Sequence, residues 1–320
     1  MENTNKNDKV ILSDIFNAIK TCQAARGEVE ANGIANAFAR AAQEDKHCLV
    51  LFRNVMQNGK AEKAFVMMRD KNGQAMFPLF TDMTKILPVK EQVEKQEPVE
   101  IGVMNLKMLI MMLAAKQMCA GIIVNPFMQN FNAPIGFFAG AISREPISRV
   151  TLIEADLTAL HTGAIVCPTD ETISGEGYLD SQVQQAGAEI FKDAIKNAVQ
   201  NEKMETADVV TVQGKGELHA GYVLFTKIPE YSEKVELKQI LESYLNCMNA
   251  AKELGCTSIA FPCTSKAMKG LPIEGVIGAS TQAVTAWLAN HADYKMDVYF
   301  CCETKEEKAL YQKFFDGIQK

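Results

Sequence analysis

The chain has no CxxC pair, no HExxH motif, no low-complexity segment and no apolar run long enough to cross a bilayer. Each absence excludes something. There are 9 cysteines, an odd number, with Cys301 and Cys302 adjacent. That reads as a reduced set of buried thiols, not a secreted disulfide framework. The 4 histidines show no metal-ligand spacing, so no metal and no cofactor is expected. The longest apolar run, residues 104–115, is interrupted by Lys107 and too short for a span. It reads as a buried or partly buried helix with methionine as core filler, an adaptable partner groove being the other reading. Residues 1–9 are polar and charged without an apolar core, so no signal peptide and a cytoplasmic location are expected. A formal net charge of −6 lacks the basic excess of a backbone-driven nucleic-acid binder.

What is present suits a folded chain of two domains. At 320 residues it is too long for one ordinary core, and 48% of it is apolar. The first half mixes element types. Residues 33–43 read as a helix and 47–53 as a strand. Turn signals Asn58-Gly59 and Asn72-Gly73 separate the apolar runs 64–68 and 75–80, which suggests an antiparallel meander. Thr81-Asp82 offers a helix cap before residues 83–87. Residues 88–100 are charged and carry prolines, and read as an exposed connector. A strand at 103–106, a helix to about 118 and a strand at 121–127 complete an α+β unit. Turn signals through 128–146 place the boundary near Glu145, giving an N-terminal domain over 1–140 and a second over 149–320.

The second half alternates. Strands are expected at 150–153, 163–167, 207–212, 221–225, 257–262 and 296–302. Helices are expected at 180–199, 233–254 (stopped by Gly255), 273–290 and 304–318. This is the pattern of a three-layer α/β/α domain with a mostly parallel sheet. Ligands of such sheets sit beyond the carboxyl ends of the strands, so the loops there deserve reading first.

Those loops resemble the macro-domain family. Asp156-Leu157-Thr158 resembles its Gly-Asp-Ile-Thr element. Ile165-Val166-Cys167-Pro168-Thr169-Asp170 stands where the family has Ile-Val-Asn-Ala-Ala-Asn. Ile173 to Asp180 aligns with its glycine-rich loop, and Gly214 to Tyr222 with its Thr-Gly-Glu-Ala segment. Ser258-Ile259-Ala260-Phe261-Pro262 matches a family strand, and Ser265 to Gly270 falls on its second phosphate loop. The first half resembles the N-terminal domain of the SseB family, on Phe77-Pro78-Leu79-Phe80-Thr81-Asp82 and Ile122-Ile123-Val124-Asn125-Pro126-Phe127.

The macro resemblance implies an ADP-ribose-type ligand and a set of binding residues. Asp156 would recognise adenine, or simply cap the following turn. Asp170 stands where the family's hydrolases place Asn against the distal ribose. An ionised Asp only accepts hydrogen bonds and adds charge of the wrong sign beside a diphosphate. Gly175 and Gly177 keep part of a phosphate cradle, while Glu176 and Tyr178 add bulk; a plain turn is the alternative. Ser265, Lys266, Lys269 and Gly270 would hold the diphosphate, or the lysines are ordinary surface charges. Cys167 and Cys263 follow buried strands but have no histidine nearby in sequence, so buried small residues are expected rather than nucleophiles.

These readings lead to a non-catalytic or weakly ligand-binding two-domain protein of bacterial type. It would bind ADP-ribose or a related anionic nucleotide metabolite, or serve as an interaction scaffold with a protein partner on the N-terminal domain. The alternative is a hydrolase of ADP-ribosyl or O-acetyl-ADP-ribose esters using Asp170. A third reading compares the second half to the non-catalytic macro-like domains of leucine aminopeptidases.

Overall fold

Along Ala164–Thr169 the side chains alternate between two cores. Ala164 and Val166 enter one, and Ile165 and Cys167 enter the other. A continuous apolar run with two-sided burial is what a central parallel strand requires. The computed structural model describes residues 11–25, 31–57, 59–199, 202–229, 237–263 and 273–318. Its contacts divide into two units, Met1–Lys20 with Glu30–Pro146, and Thr21–Val29 with Ile147–Lys320.

The first part of the chain runs α1 (Ser13–Ala24), α2 (Ala31–Gln43), β1 (His47–Gln57), β2 (Lys60–Phe65), β3 (Met68–Arg69), β4 (Ala75–Leu79), α3 (Met83–Glu94), β5 (Val99–Asn105), α4 (Leu106–Ala115), β6 (Gly121–Val124), β7 (Phe131–Pro134) and α5 (Ile135–Ser143). The expected single meander is divided between two sheets, β2-β1-β5 and β3-β4-β6-β7, with a bridge between Leu49 and Phe80. The reason is burial. β2 is largely exposed, whereas Met76 to Leu79 of β4 are buried throughout and pair in parallel with the equally buried β6.

Two other expectations are corrected. The proposed connector at 88–100 is mostly structured: α3 runs through Pro88 to Glu94, and β5 starts at Val99. An internal proline costs a helix about 3 kcal/mol. Burying Ile86 and Val89 returns about 1.5–3 kcal/mol each, and Asp82 caps the helix by accepting from the Thr84 N–H. The stretch 128–146 is likewise not a simple boundary loop. Pro134 ends β7 and stands as the N-cap of α5, a position where its missing N–H is harmless. Helix α1 had no counterpart in the sequence reading.

The second unit runs β8 (Arg149–Glu154), β9 (Ala164–Thr169), α6 (Tyr178–Val199), β10 (Val209–Gln213), β11 (Tyr222–Lys227), α7 (Leu237–Glu253), β12 (Ser258–Pro262), α8 (Ile273–Asn290), β13 (Asp297–Cys302) and α9 (Lys305–Ile318). Its sheet has the order β10-β11-β9-β12-β13-β8, parallel except for β10. Helices α7, α8 and α9 supply the core on one face, with Tyr244, Trp287 and Tyr311. Helix α6 supplies the other, with Leu179, Val183 and Phe191. This is the three-layer arrangement expected. Gly255, read as the stop of α7, has φ +70°, the left-handed conformation a C′ glycine adopts.

All 9 cysteines are buried, and none is in a disulfide. Among the described residues no helix is long and apolar enough to cross a membrane.

Candidate functional site

The parallel strands β8, β9, β12 and β13 end on one rim of the sheet, and the loops that follow β8 and β13 open onto a cavity of about 710 Å³. Asp156 follows β8. Its Oδ1 accepts from the Thr158 backbone N–H at 2.9 Å and from Thr158 Oγ1 at 2.8 Å, capping the 3-10 turn Leu157–Ala159. Both readings of Asp156 therefore meet in one residue: it caps the turn, and it lines the cavity. Every hydrogen bond to its carboxylate among the described residues falls on Oδ1.

The opposite wall comes from the start of α6. Tyr178, Leu179, Gln182 and Gln185 line the cavity, and Tyr178 Oη donates to Glu303 Oε2 at 3.0 Å. Glu303 follows β13, whose neighbour in the sheet is β8, so the cavity lies at the edge of the rim. Tyr178 is one of the lining residues and is exposed. Helix α6 is broken at Ala188 (φ 56°, ψ −169°), a combination that L residues rarely adopt. The segment Gly214 to Tyr222 packs into that break: Glu217 N–H donates to the Ala186 carbonyl at 2.8 Å. A Cβ on Gly216 (φ +63°) would stand 2.6 Å from the same oxygen, so only glycine fits there.

Asp170, Gly175 and Gly177 are not among the residues lining this cavity. Asp170 turns to its own loop. Its Oδ1 accepts from Thr172 N (2.8 Å), Thr172 Oγ1 (2.9 Å) and Ser174 N (3.2 Å), and its Oδ2 from Ser174 Oγ. Burial raises the Asp170 carboxyl, but the Ser174 and Thr172 donors together lower it further, to about 2. Thr172 and Ser174 face a separate cavity of about 580 Å³ against the second half of α6, with Lys192 and Lys203.

The glycine loop also spends its donors internally. Gly175 (φ +80°) gives its N–H to Asp180 Oδ2 at 3.0 Å, and Glu176 gives its N–H to Ser174 Oγ at 3.2 Å. Gly177 contributes its carbonyl to Ser181 N–H as α6 begins. The N–H groups of Ser174, Gly175 and Glu176 thus answer to side chains of the loop rather than to an empty anion cradle. Ser265, Lys266, Lys269 and Gly270 lie outside the described residues.

Sequence reasoning passed over Asp180 and Glu303. Asp180 is fully buried and accepts from Thr169 Oγ1 (2.7 Å), Gly175 N–H and Gln184 Nε2 (3.0 Å). A carboxylate in the first turn of an otherwise amphipathic helix carries no sequence mark of such burial. Glu303 could have been found, since it is the first residue beyond a strand end on the rim. Cys167 and Cys263 are fully buried. Burial pushes the Cys167 thiol well above its ordinary pKa, with the Asp180 charge adding to the rise, and burial does the same to Cys263. Neither is a thiolate nucleophile.

A mostly parallel sheet of this order, with helices on both faces and a cavity where β8 and β13 end, defines a three-layer α/β/α domain. Residues 166–279 match the macro-domain family model, and the C-terminal part of the chain is a macro domain. It is similar to a macro domain-containing protein of Acinetobacter, 24% identical over 174 residues, covering 54% of this chain and 94% of that one. It is also similar to the O-acetyl-ADP-ribose deacetylase of Salmonella typhimurium, 28% identical over 168 residues, covering 52% and 93%. Among solved structures, the Oceanobacillus iheyensis macrodomain with MES bound shares the fold at a TM-score of 0.50 and 19% identity, covering 53% of this chain and 92% of that one.

Proposed function

We propose that the C-terminal unit is a binding module for ADP-ribose or a closely related nucleotide, with no strong catalytic activity of its own. The observation that carries this reading is Asp156: a carboxylate on the wall of a cavity of about 710 Å³, whose hydrogen bonds among the described residues fall on Oδ1, in a macro domain. Oδ2 is left for a donor such as the exocyclic amine of a purine. A cavity of that size is in the range that holds a small molecule. Asp170 and both cysteines are engaged or buried, which weighs against an acid, base or nucleophile at the rim. Ser265, Lys266, Lys269 and Gly270 are proposed as diphosphate contacts on sequence alone. Calorimetric titration of the full chain with ADP-ribose tests the reading. Binding that Asp156→Ala abolishes supports it; no heat at millimolar ligand leaves a scaffold.

One observation favours an enzyme. The Salmonella relative bears the name of an O-acetyl-ADP-ribose deacetylase. On that reading this chain releases acetate from the same ester, and Asp170→Ala removes the turnover.

For the N-terminal unit the proposal is an SseB-like domain that docks a protein partner. Its two motif segments meet: Asn125 Nδ2 donates to Thr81 Oγ1 at 2.9 Å, and Asn125 Oδ1 accepts from the Thr81 N–H at 3.0 Å. That pair holds a turn carrying exposed Phe127 and Met128. A cytoplasmic, bacterial setting is proposed with it, and fractionation of cells carrying the tagged chain tests the location.

A further inference from the structure

Helix α4 is apolar on two faces, and only one of them is packed. At about 100° per residue, Leu106, Leu109, Ile110 and Leu113 share one face, and all four are fully buried. Met108, Met111 and Met112 fall on the opposite face. Met108 is 71% exposed and Met111 56%, while Met112 is half-buried. These methionines are therefore not the core filler that the composition of the run suggests. Lys107 and Lys116 border the methionine face, one on each side and about 13 Å apart along the helix axis. Both are exposed, and neither side chain forms an ion pair among the described residues. An apolar helix face left open to water, with uncompensated positive charge on both borders, is the form of a contact surface.

We propose that this face of α4 docks an amphipathic helix of a partner protein whose apolar stripe is flanked by acidic residues. The inference rests on the reading of the N-terminal unit as a partner-docking domain, and it names the surface and the chemistry of the partner. Thioethers on flexible side chains re-pack around apolar groups of varied shape. The face therefore asks for apolar anchors at i, i+3 or i+4, and i+7, and not for one fixed residue. The lysines supply the selectivity, since they attract carboxylates beside the stripe and repel other lysines. Two other occupants fit less well. A second copy packed on the same helix brings two further lysines to the border and no carboxylate, because α4 carries none. An anionic bilayer calls for a helix rich in Lys or Arg with Trp, Phe or Leu on its apolar face, whereas α4 has 10 residues, methionines outward, and a chain of net charge −6 behind it.

NMR of the full chain labelled at the methionine methyl groups reads the contact. The probe is a helical peptide of about 16 residues with leucines at i, i+3, i+4 and i+7 and glutamates along both flanks. One control carries lysine for each glutamate, and a second has the same residues shuffled. The glutamate peptide is expected to shift the Met108, Met111 and Met112 signals and to bind about tenfold or more tightly than the lysine peptide at low salt. Raising the salt from about 0.05 to about 0.5 M narrows that ratio through screening. Met108→Gln and Met111→Gln each weaken the glutamate peptide, and Lys107→Glu combined with Lys116→Glu inverts the charge preference. An unchanged signal from buried Met76 in each variant separates these effects from misfolding. Equal affinity of the glutamate, lysine and shuffled peptides overturns the inference. So do the same shifts brought on by protein concentration alone, or by phosphatidylserine vesicles where the glutamate peptide gives none. Shifts at Met128 alone overturn it and leave the docking reading standing. No shift at any methionine with about 1 mM of any of the peptides overturns both.

Discussion

The backbone N–H of Gly175 is bound to the buried carboxylate of Asp180, 3.0 Å from Oδ2. This single contact converts a loop that resembles a phosphate cradle into a self-closed turn. It also ties the loop after β9 to the first turn of α6, because Asp180 holds Thr169 and Gln184 at the same time.

Replacing Asp180 with alanine removes the acceptor of the buried Thr169 hydroxyl, of the part-buried Gly175 N–H and of one N–H of the Gln184 amide, whose nitrogen keeps the Ile173 carbonyl. Unsatisfied buried donors cost about 1–3 kcal/mol each, so a loss of roughly 3 kcal/mol is expected. The C-terminal unit should melt lower by about 6–12 °C. Trp287 is the only tryptophan of the chain and is buried in this unit's core, so its fluorescence follows that transition selectively. An unchanged melting temperature would show that Asp180 does not hold the loop.

Ala188 occupies backbone angles that suit glycine. Ala188→Gly is expected to raise stability by about 1 kcal/mol through release of strain. The same change at Ala194, inside regular helix, should lower it by about 1 kcal/mol. Denaturant midpoints of the two variants moving in the same direction would count against strain at Ala188.

The Asp170 turn should respond to acid. Its carboxyl titrates near 2 instead of at its ordinary 3.8. A depressed folded value means the stabilisation is complete above the ordinary value and is lost as pH falls from about 4 towards 2. The amide resonances of Thr172 and Ser174 report the event, and they should titrate together near 2. A midpoint at the ordinary value would show that the four hydrogen bonds do not persist in solution.

Cys167 and Cys263 should resist alkylation in the native state at neutral pH, because each is buried and its thiol is held protonated. Mass spectrometry after iodoacetamide should find both unmodified until the chain is unfolded. Rapid native labelling of Cys167 would reopen the nucleophile reading.

Much of the C-terminal architecture was legible in the residues. The apolar run at 164–167, the helical spacing at 273–290 and Gly255 after α7 all announce themselves locally, because strand and helix periodicity and the left-handed cap are properties of neighbouring residues. The N-terminal half was less so. Two hairpin signals do not reveal which strands share a sheet, and Pro88 and Pro134 signal a break whether the helix continues through them or starts beside them.

The order of elements in the C-terminal unit, its mostly parallel sheet and the place of Asp156 at a strand end came from the chain itself, since each depends on pattern over a few turns. That Asp156 accepts from Thr158 through Oδ1, that Asp170 folds back on Ser174, and that Glu303 meets Tyr178 were decided only in three dimensions. A hydrogen bond between residues 125 positions apart is set by where β13 ends relative to α6. No local pattern encodes that distance.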